Sequence, residues 1–328
     1  RRRICKIETL LFMSTIKFTN ITKEFPDMAR PALNSIDLTI ASGEFTVLLG
    51  PSGCGKTTLV KMVNRLYEPT AGDIQIGDES IYNGMDVIEL RRKIGYVIQQ
   101  TGLFPHMTAA QNIAIVPKLL GWSDEKINAR VDELMDMVSL PPTEFRERYP
   151  AQMSGGQQQR VGVARALAGN PDVILMDEPF GAIDAITRTE LQDSLLRLQR
   201  RLRKTILFVT HDVDEALRLA DKIAILRDGE LIQFGTPLEI LTAPKDDFVA
   251  QLIGADDVVR QLGLVRVEKV MVPKIDSMPI KQTIHRDQNL RVALSDLVRS
   301  NVDYLTVVDS ENQPLGTITF DNIRSSIG

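Results

Sequence analysis

The chain has 328 residues, with 39 Lys and Arg against 43 Asp and Glu and a formal charge of −4. That length allows about two domains, each able to bury a core, and the near balance of charge removes any general case for a protein that coats nucleic acid or another polyanion. No run approaches the roughly 18 apolar residues that a membrane span needs, and two cysteines, Cys5 and Cys54, are too few for a disulfide framework, which fits a reducing compartment.

Residues 1–12 have a basic start and a short apolar patch without a long apolar core or a small-residue cleavage site, so residues 1–13 are read as a disordered leader or an overextended start. Alternation predicts strands over residues 14–24 and 35–40, and the nearly continuous apolar run 44–49 predicts a strand covered on both faces. A glycine loop follows, then a helix over 57–66. From about residue 90 to 168 the pattern is mostly helical, most clearly over 124–140, where Ile127, Val131, Leu134, Met135 and Val138 recur three and four apart.

Residues 173–176 and 205–209 read as buried strands on either side of a charged amphipathic helix, 188–203. Residues 222–226 and 230–234 flank Arg227-Asp228-Gly229, a hairpin signal. Strands with helical crossovers predict an α/β domain with a mainly parallel sheet covered by helices and a helical insertion over about 90–168, and a domain boundary near residue 255. Residues 241–255 are expected to be a helical linker. The remainder, 256–328, is expected to be a small α+β domain: one helical face of Leu290, Ala293, Leu294, Leu297 and Val298, then strands over 304–309 and 315–320.

The sharpest motif is Gly50-Pro51-Ser52-Gly53-Cys54-Gly55-Lys56-Thr57, which satisfies G-x-x-x-x-G-K-[ST] between a strand and a helix. Its glycines let successive amides turn toward phosphate oxygens, and the next helix adds its positive end. Lys56 can reach the β and γ phosphates and the Thr57 hydroxyl can ligate Mg²⁺, with Thr58 also among the nucleotide-contacting residues. The apolar strand ending in Asp177-Glu178 supplies the partner carboxylates: Asp177 for the Mg²⁺ shell and Glu178 as the base that polarises water. A second anion site is predicted where Ser154-Gly155-Gly156-Gln157 opens a helix.

These motifs together resemble the ATP-binding subunits of ABC transporters, with Met153 in the place of the usual leucine before Ser154. The resemblance, which covers 14–240, implies a P-loop ATPase fold of ABC type, with an antiparallel β subdomain beside the mainly parallel sheet and the helical insertion, and a functional dimer in which the 154–157 signature of one copy closes over ATP on the other. It implies that Phe25 stacks on adenine, although a strand-end core role stays open, and that Gln99 senses Mg²⁺ and contacts the permease, next to an alternative in Gln100. It also makes Gly181-Ala182-Ile183-Asp184 the loop that ends in a nucleotide-contacting Asp184, and His211 the γ-phosphate contact that positions water.

The wording of residues 94–114, 147–188 and 210–225 is similar to the ATPases of osmoprotectant importers, which move glycine betaine, choline, carnitine or proline betaine. Residues 264–327 resemble one CBS motif, in which Thr319 and Asp321 match ribose or phosphate positions; Asp321 is equally a helix N-cap and Thr319 an ordinary strand residue. The expectation is ATP hydrolysis with Mg²⁺, driving import through a separate permease at the cytoplasmic face of the membrane. Its expected partners are a second copy and a periplasmic or lipid-anchored solute-binding protein, with no nucleic acid. Two rival readings stay open: an ATPase for another solute class, and a soluble ABC protein acting outside transport.

Overall fold

Between Phe234 and Gly235 the chain divides into two units, each considered separately. The computed structural model describes residues 15–99, 102–181, 183–273, 280 and 282–325. The leader expectation for 1–13, the alternative at Gln100 and the Ala182 position lie outside those residues.

The first unit opens with β1 (Ile16–Lys23) and β2 (Leu33–Ile40), an antiparallel pair. Ile16, Phe18 and Ile21 face the core with Ile36, Leu38 and Ile40, the alternation of a sheet covered on one face. β3 (Phe45–Leu49) is buried along its whole length and leads through the glycine loop into α1 (Lys56–Val63). β4 (Ala71–Ile76) pairs with β1 and β5 (Glu79–Ser80) with β4, giving an antiparallel sheet of order β2-β1-β4-β5. Asp86 caps α2 (Val87–Lys93), accepting hydrogen bonds from the Ile88 and Glu89 amides, while Arg91, Arg92 and Lys93 suit its negative end.

Directly after α2 comes β6 (Ile94–Val97), paired in parallel with β7 (Val173–Asp177). This corrects the start of the helical stretch at residue 90, because Ile94–Val97 belongs to the main sheet. Four residues are too few to show a two-residue period beside a helix. Gly95 is what lets this strand approach its cover, since a Cβ there would lie 2.4 Å from the Ala166 carbonyl oxygen.

The helical part is α3 (Ala109–Leu119), α4 (Asp124–Met137), α5 (Pro142–Phe145) and α6 (Gly155–Ala168). Thr108 with Gln111 and Ser154 with Gln157 close reciprocal capping boxes on α3 and α6, and Ser123 caps α4. Ile127, Val131, Leu134, Met135 and Val138 are all buried, as their spacing predicts.

After β7 come α7 (Ala185–Leu202), β8 (Thr205–Val209), α8 (Val213–Leu219), β9 (Lys222–Arg227) and β10 (Glu230–Gly235). The six-stranded sheet has the order β10-β9-β3-β8-β7-β6, with parallel pairing from β9 through β6. Asp228 and Gly229 both have positive φ, the conformation of a tight turn joining β9 to its neighbour β10. In such a sheet the strands' carboxyl ends share one edge, where ligands bind.

In the second unit, α9 (Pro237–Thr242) starts from a Thr236–Glu239 capping box, and α10 (Asp247–Ile253) stops at left-handed Gly254. The segment 241–255 is helical in part, as expected, but it is more than a linker, since Val249 and Ile253 are fully buried. α11 (Val258–Leu264), β11 (Val272–Pro273), β12 (Thr283–His285), α12 (Leu290–Ser300), β13 (Tyr304–Val308), β14 (Pro314–Thr319) and α13 (Phe320–Ser325) complete it. The sheet order is β11-β14-β13-β12.

Leu262, Ile284, Leu290, Leu297, Leu305 and Ile318 lie at the centre of this unit's own core. Val298, placed by periodicity on the buried face of α12, is 68% exposed. Thr319 rather than Asp321 caps α13: its hydroxyl accepts from the Asn322 amide, and Asn322 Oδ1 accepts from the Thr319 amide. Asp321 pairs instead with Arg324 at 3.0 Å.

Candidate functional site

The glycine loop leaves β3 by a path that excludes side chains. A Cβ on Gly50, at φ +152°, would lie 2.2 Å from the Leu226 carbonyl oxygen, and one on Gly55, at φ +105°, 2.6 Å from that of Ala32. Gly55 has no side chain to cap α1, so the helix presents its first amides on the loop side. Lys56 is buried, and its Nζ donates to the carbonyls of Gly50 and Pro51, each at 2.7 Å. Cys54 Sγ lies 3.7 Å from the same ammonium. Burial pushes this thiol above its ordinary range, and Lys56 offsets part of the rise.

Next to Lys56, the Thr57 hydroxyl donates to Asp177 Oδ1 over 2.9 Å. Burial pushes the Asp177 carboxyl up, the Thr57 bond pulls it back and the neighbouring Glu178 charge adds to the rise. The Thr57 hydroxyl and the Asp177 carboxylate are oxygen donors of the kind that could hold a hard cation such as Mg²⁺. Among the described residues no group of three or more His, Cys, Asp or Glu is placed to hold a metal.

Glu178 turns out of β7 with φ +46°, and its amide donates to the Val209 carbonyl at 3.0 Å. Because Asp177 is in register with Val209, the residues after β7 and β8 leave the sheet side by side. The Glu178 carboxylate accepts from Gln99 Nε2 at 3.1 Å through one oxygen and lies 3.4 Å from His211 Nδ1 through the other. Three residues singled out separately in the sequence thus meet at one carboxylate.

Ser154 and the first turn of α6, Gly155, Gly156 and Gln157, line a crevice of about 370 Å³ with Asp184 and Arg160. The lining holds no residue of the glycine loop. Asp184 caps α7 by accepting from the Thr187 amide at 3.0 Å. Phe25 is half-buried and outside the core, edge-on to Tyr67 at 5.4 Å with Lys23 Nζ 4.9 Å from its ring. A polar network joining Arg188, Gln192, Thr210 and Glu215 lies behind His211 and was missed in the sequence. Its only signal is a buried-side charge on each of two amphipathic helices.

The ABC transporter family pattern matches residues 33–181. Over 309 residues the chain is 50% identical to the glycine betaine/carnitine/choline transport ATP-binding protein OpuCA of Bacillus subtilis, an alignment spanning 94% of this chain and 79% of that protein. The chain belongs to the ABC transporter family. As an ABC ATPase it is also 47% identical over 309 residues to the glycine betaine uptake system ATP-binding protein YehX of Escherichia coli, covering 94% of this chain and 98% of that one. A solved dimeric ATP-binding cassette in a post-hydrolysis state with ADP and phosphate is 37% identical, with a TM-score of 0.62 over 68% of this chain and 98% of that one. Membership makes this an ATP-binding subunit with transport-coupled ATPase chemistry. Among its described residues no helix is long and apolar enough to cross a membrane.

Proposed function

We propose that this ABC ATPase energises uptake of a quaternary-amine osmoprotectant, of the glycine betaine, choline or carnitine class, through a separate permease. The observation carrying the solute class is that relatives named for those solutes align over 94% of the chain, tail included. The proposed location is the cytoplasmic face of the membrane, with a solute-binding protein acting through the permease on the other side.

In this reading the loop amides of residues 50–57 and the Lys56 ammonium hold and neutralise the β and γ phosphate oxygens. Thr57 and Asp177 would hold Mg²⁺, which supplies charge neutralisation across those oxygens. Glu178 takes the proton from the attacking water, Gln99 keeps its carboxylate oriented, and His211 fixes the water and γ-phosphate from the opposite side. Two copies would sandwich two nucleotides, each held by one copy's glycine loop and the other's 154–157 turn. The dimeric state of the similar cassette supports this arrangement. The tail is proposed as a CBS-like regulatory unit that pairs between copies, supported by its separate core.

The test is transport of labelled betaine, choline and carnitine by the chain reconstituted with its permease, over a range of salt. Uptake of one or more, dependent on ATP and lost with Glu178→Gln, is expected. Failure to transport any of them would overturn the solute class while leaving the ATPase chemistry intact.

A further inference from the structure

The His211 side chain is 63% exposed, and its Nδ1 lies 3.4 Å from Glu178 Oε1. Something other than burial must fix so exposed a ring. Both of its chain neighbours are anchored. Thr210, at 3% exposure, donates its hydroxyl to Glu215 Oε2 at 2.7 Å and accepts from the Asp212 amide at 3.0 Å. Asp212 Oδ1 accepts from the Asp214 and Glu215 amides, closing the cap of α8.

The second anchor comes from the other side. Arg188, in the first turn of α7, donates through Nη2 to the Ile183 carbonyl at 3.0 Å, places Nη1 3.6 Å from Asp212 Oδ2 and places Nε 3.8 Å from Glu215 Oε1. Gln192, one turn on, donates to the same Glu215 oxygen at 3.3 Å. One guanidinium therefore spans the turn before Asp184 and the residues flanking His211.

We infer that Arg188 and Glu215 are positioning residues for hydrolysis, locking the His211 loop to the Ile183–Asp184 turn so that a shift of either is felt by the other. This rests on the assignment of His211 made above. The arrangement is a costly way to fill space. Glu215 is 7% exposed, Arg188 Nε is buried with no hydrogen bond, and apolar side chains at such places commonly fold as well as or better than an ion pair. What charged, directional groups add is a fixed geometry. Burial also pushes the Glu215 carboxyl above its ordinary range, with Asp212 adding to the rise and Thr210, Arg188 and Gln192 opposing it.

The test uses the full chain and steady-state ATPase kinetics with Arg188→Ala, Glu215→Gln and His211→Ala, singly and as Arg188→Ala/His211→Ala. Arg188→Ala should lower kcat about tenfold or more with KM for MgATP changed less than about twofold, and should have no further effect once His211 is gone, as expected of a residue acting through another. Glu215→Gln keeps the shape and the acceptor for Thr210, so it should remain folded while kcat falls. A rise in thermal stability alongside that fall separates positioning from a merely structural role, which would move both in one direction. Wild-type kcat in Arg188→Ala or Glu215→Gln, with His211→Ala inactive, would overturn this inference alone. An additional loss from Arg188→Ala in the His211→Ala background would overturn it too. Wild-type kcat in His211→Ala would sink the His211 assignment and the inference together.

Discussion

Thr57 and Asp177, 120 positions apart in sequence, meet through a 2.9 Å hydrogen bond that ties the first turn of α1 to the end of β7. The contact joins the helix that follows the glycine loop to the strand that runs into Glu178, the proposed base. One bond thus links two motifs that are far apart in the sequence.

Lys56→Ala removes the ammonium proposed to neutralise the phosphates and frees the Gly50 and Pro51 carbonyls it now caps. Calorimetric titration with MgATP should show affinity falling by about tenfold or more, given roughly 1.5–3 kcal/mol for a hydrogen bond to a charged group. Unchanged affinity would remove Lys56 from the site.

Glu178→Gln preserves size and the acceptor for Gln99 but cannot take a proton. Turnover should fall by about 10² to 10⁴, while ATP binding persists and a dimer accumulates on size-exclusion chromatography with MgATP. Near-normal turnover would mean that another group serves as the base.

Glu215→Gln also makes a pH prediction for stability. The native carboxyl titrates above its unfolded value because burial and Asp212 outweigh Thr210, Arg188 and Gln192. Its contribution is fully present below the unfolded value and is lost as pH rises through the native one. Wild type should therefore lose ground to the neutral variant between the acid carboxylate range and neutrality. Melting temperatures compared across that range should show a gap that widens with pH, and a constant gap would contradict the burial argument.

Gly95→Ala tests the approach of β6 to α6. The added Cβ would sit 2.4 Å from the Ala166 carbonyl oxygen, so strand and helix must separate. Urea unfolding should show a loss of about 1–3 kcal/mol, the usual scale for overpacking. A neutral result would show that the pair can part without cost.

Much of the candidate site was legible because its residues are compressed into short spacings: residues 50–57 in one glycine loop, Asp177 and Glu178 at one strand end, Ser154 to Gln157 at one helix start. The buried strands 173–176 and 205–209 stood out as continuous apolar runs. Ile94–Val97 did not, being four residues between helical patterns. Nor did β4, whose Ala71, Gly72 and Asp73 are poor strand formers that pairing with β1 holds in place. The Arg188–Glu215 link was invisible because residues on separate helices become partners only when β7 and β8 lie side by side. Asp321 was read as a cap since its type favours caps, whereas Thr319, one residue ahead of the helix, reaches the N3 amide.

The left-handed backbone at Glu178 restricts which residues the site can accept independently of chemistry. A β-branched replacement, Val, Ile or Thr, would face a steric conflict between its Cβ substituents and its own main chain, so inactive variants of that kind would confuse a lost proton acceptor with a displaced turn. Gly and Asn tolerate that conformation readily, and they would report the chemistry alone. The handedness of a single residue thus decides which mutants can be interpreted.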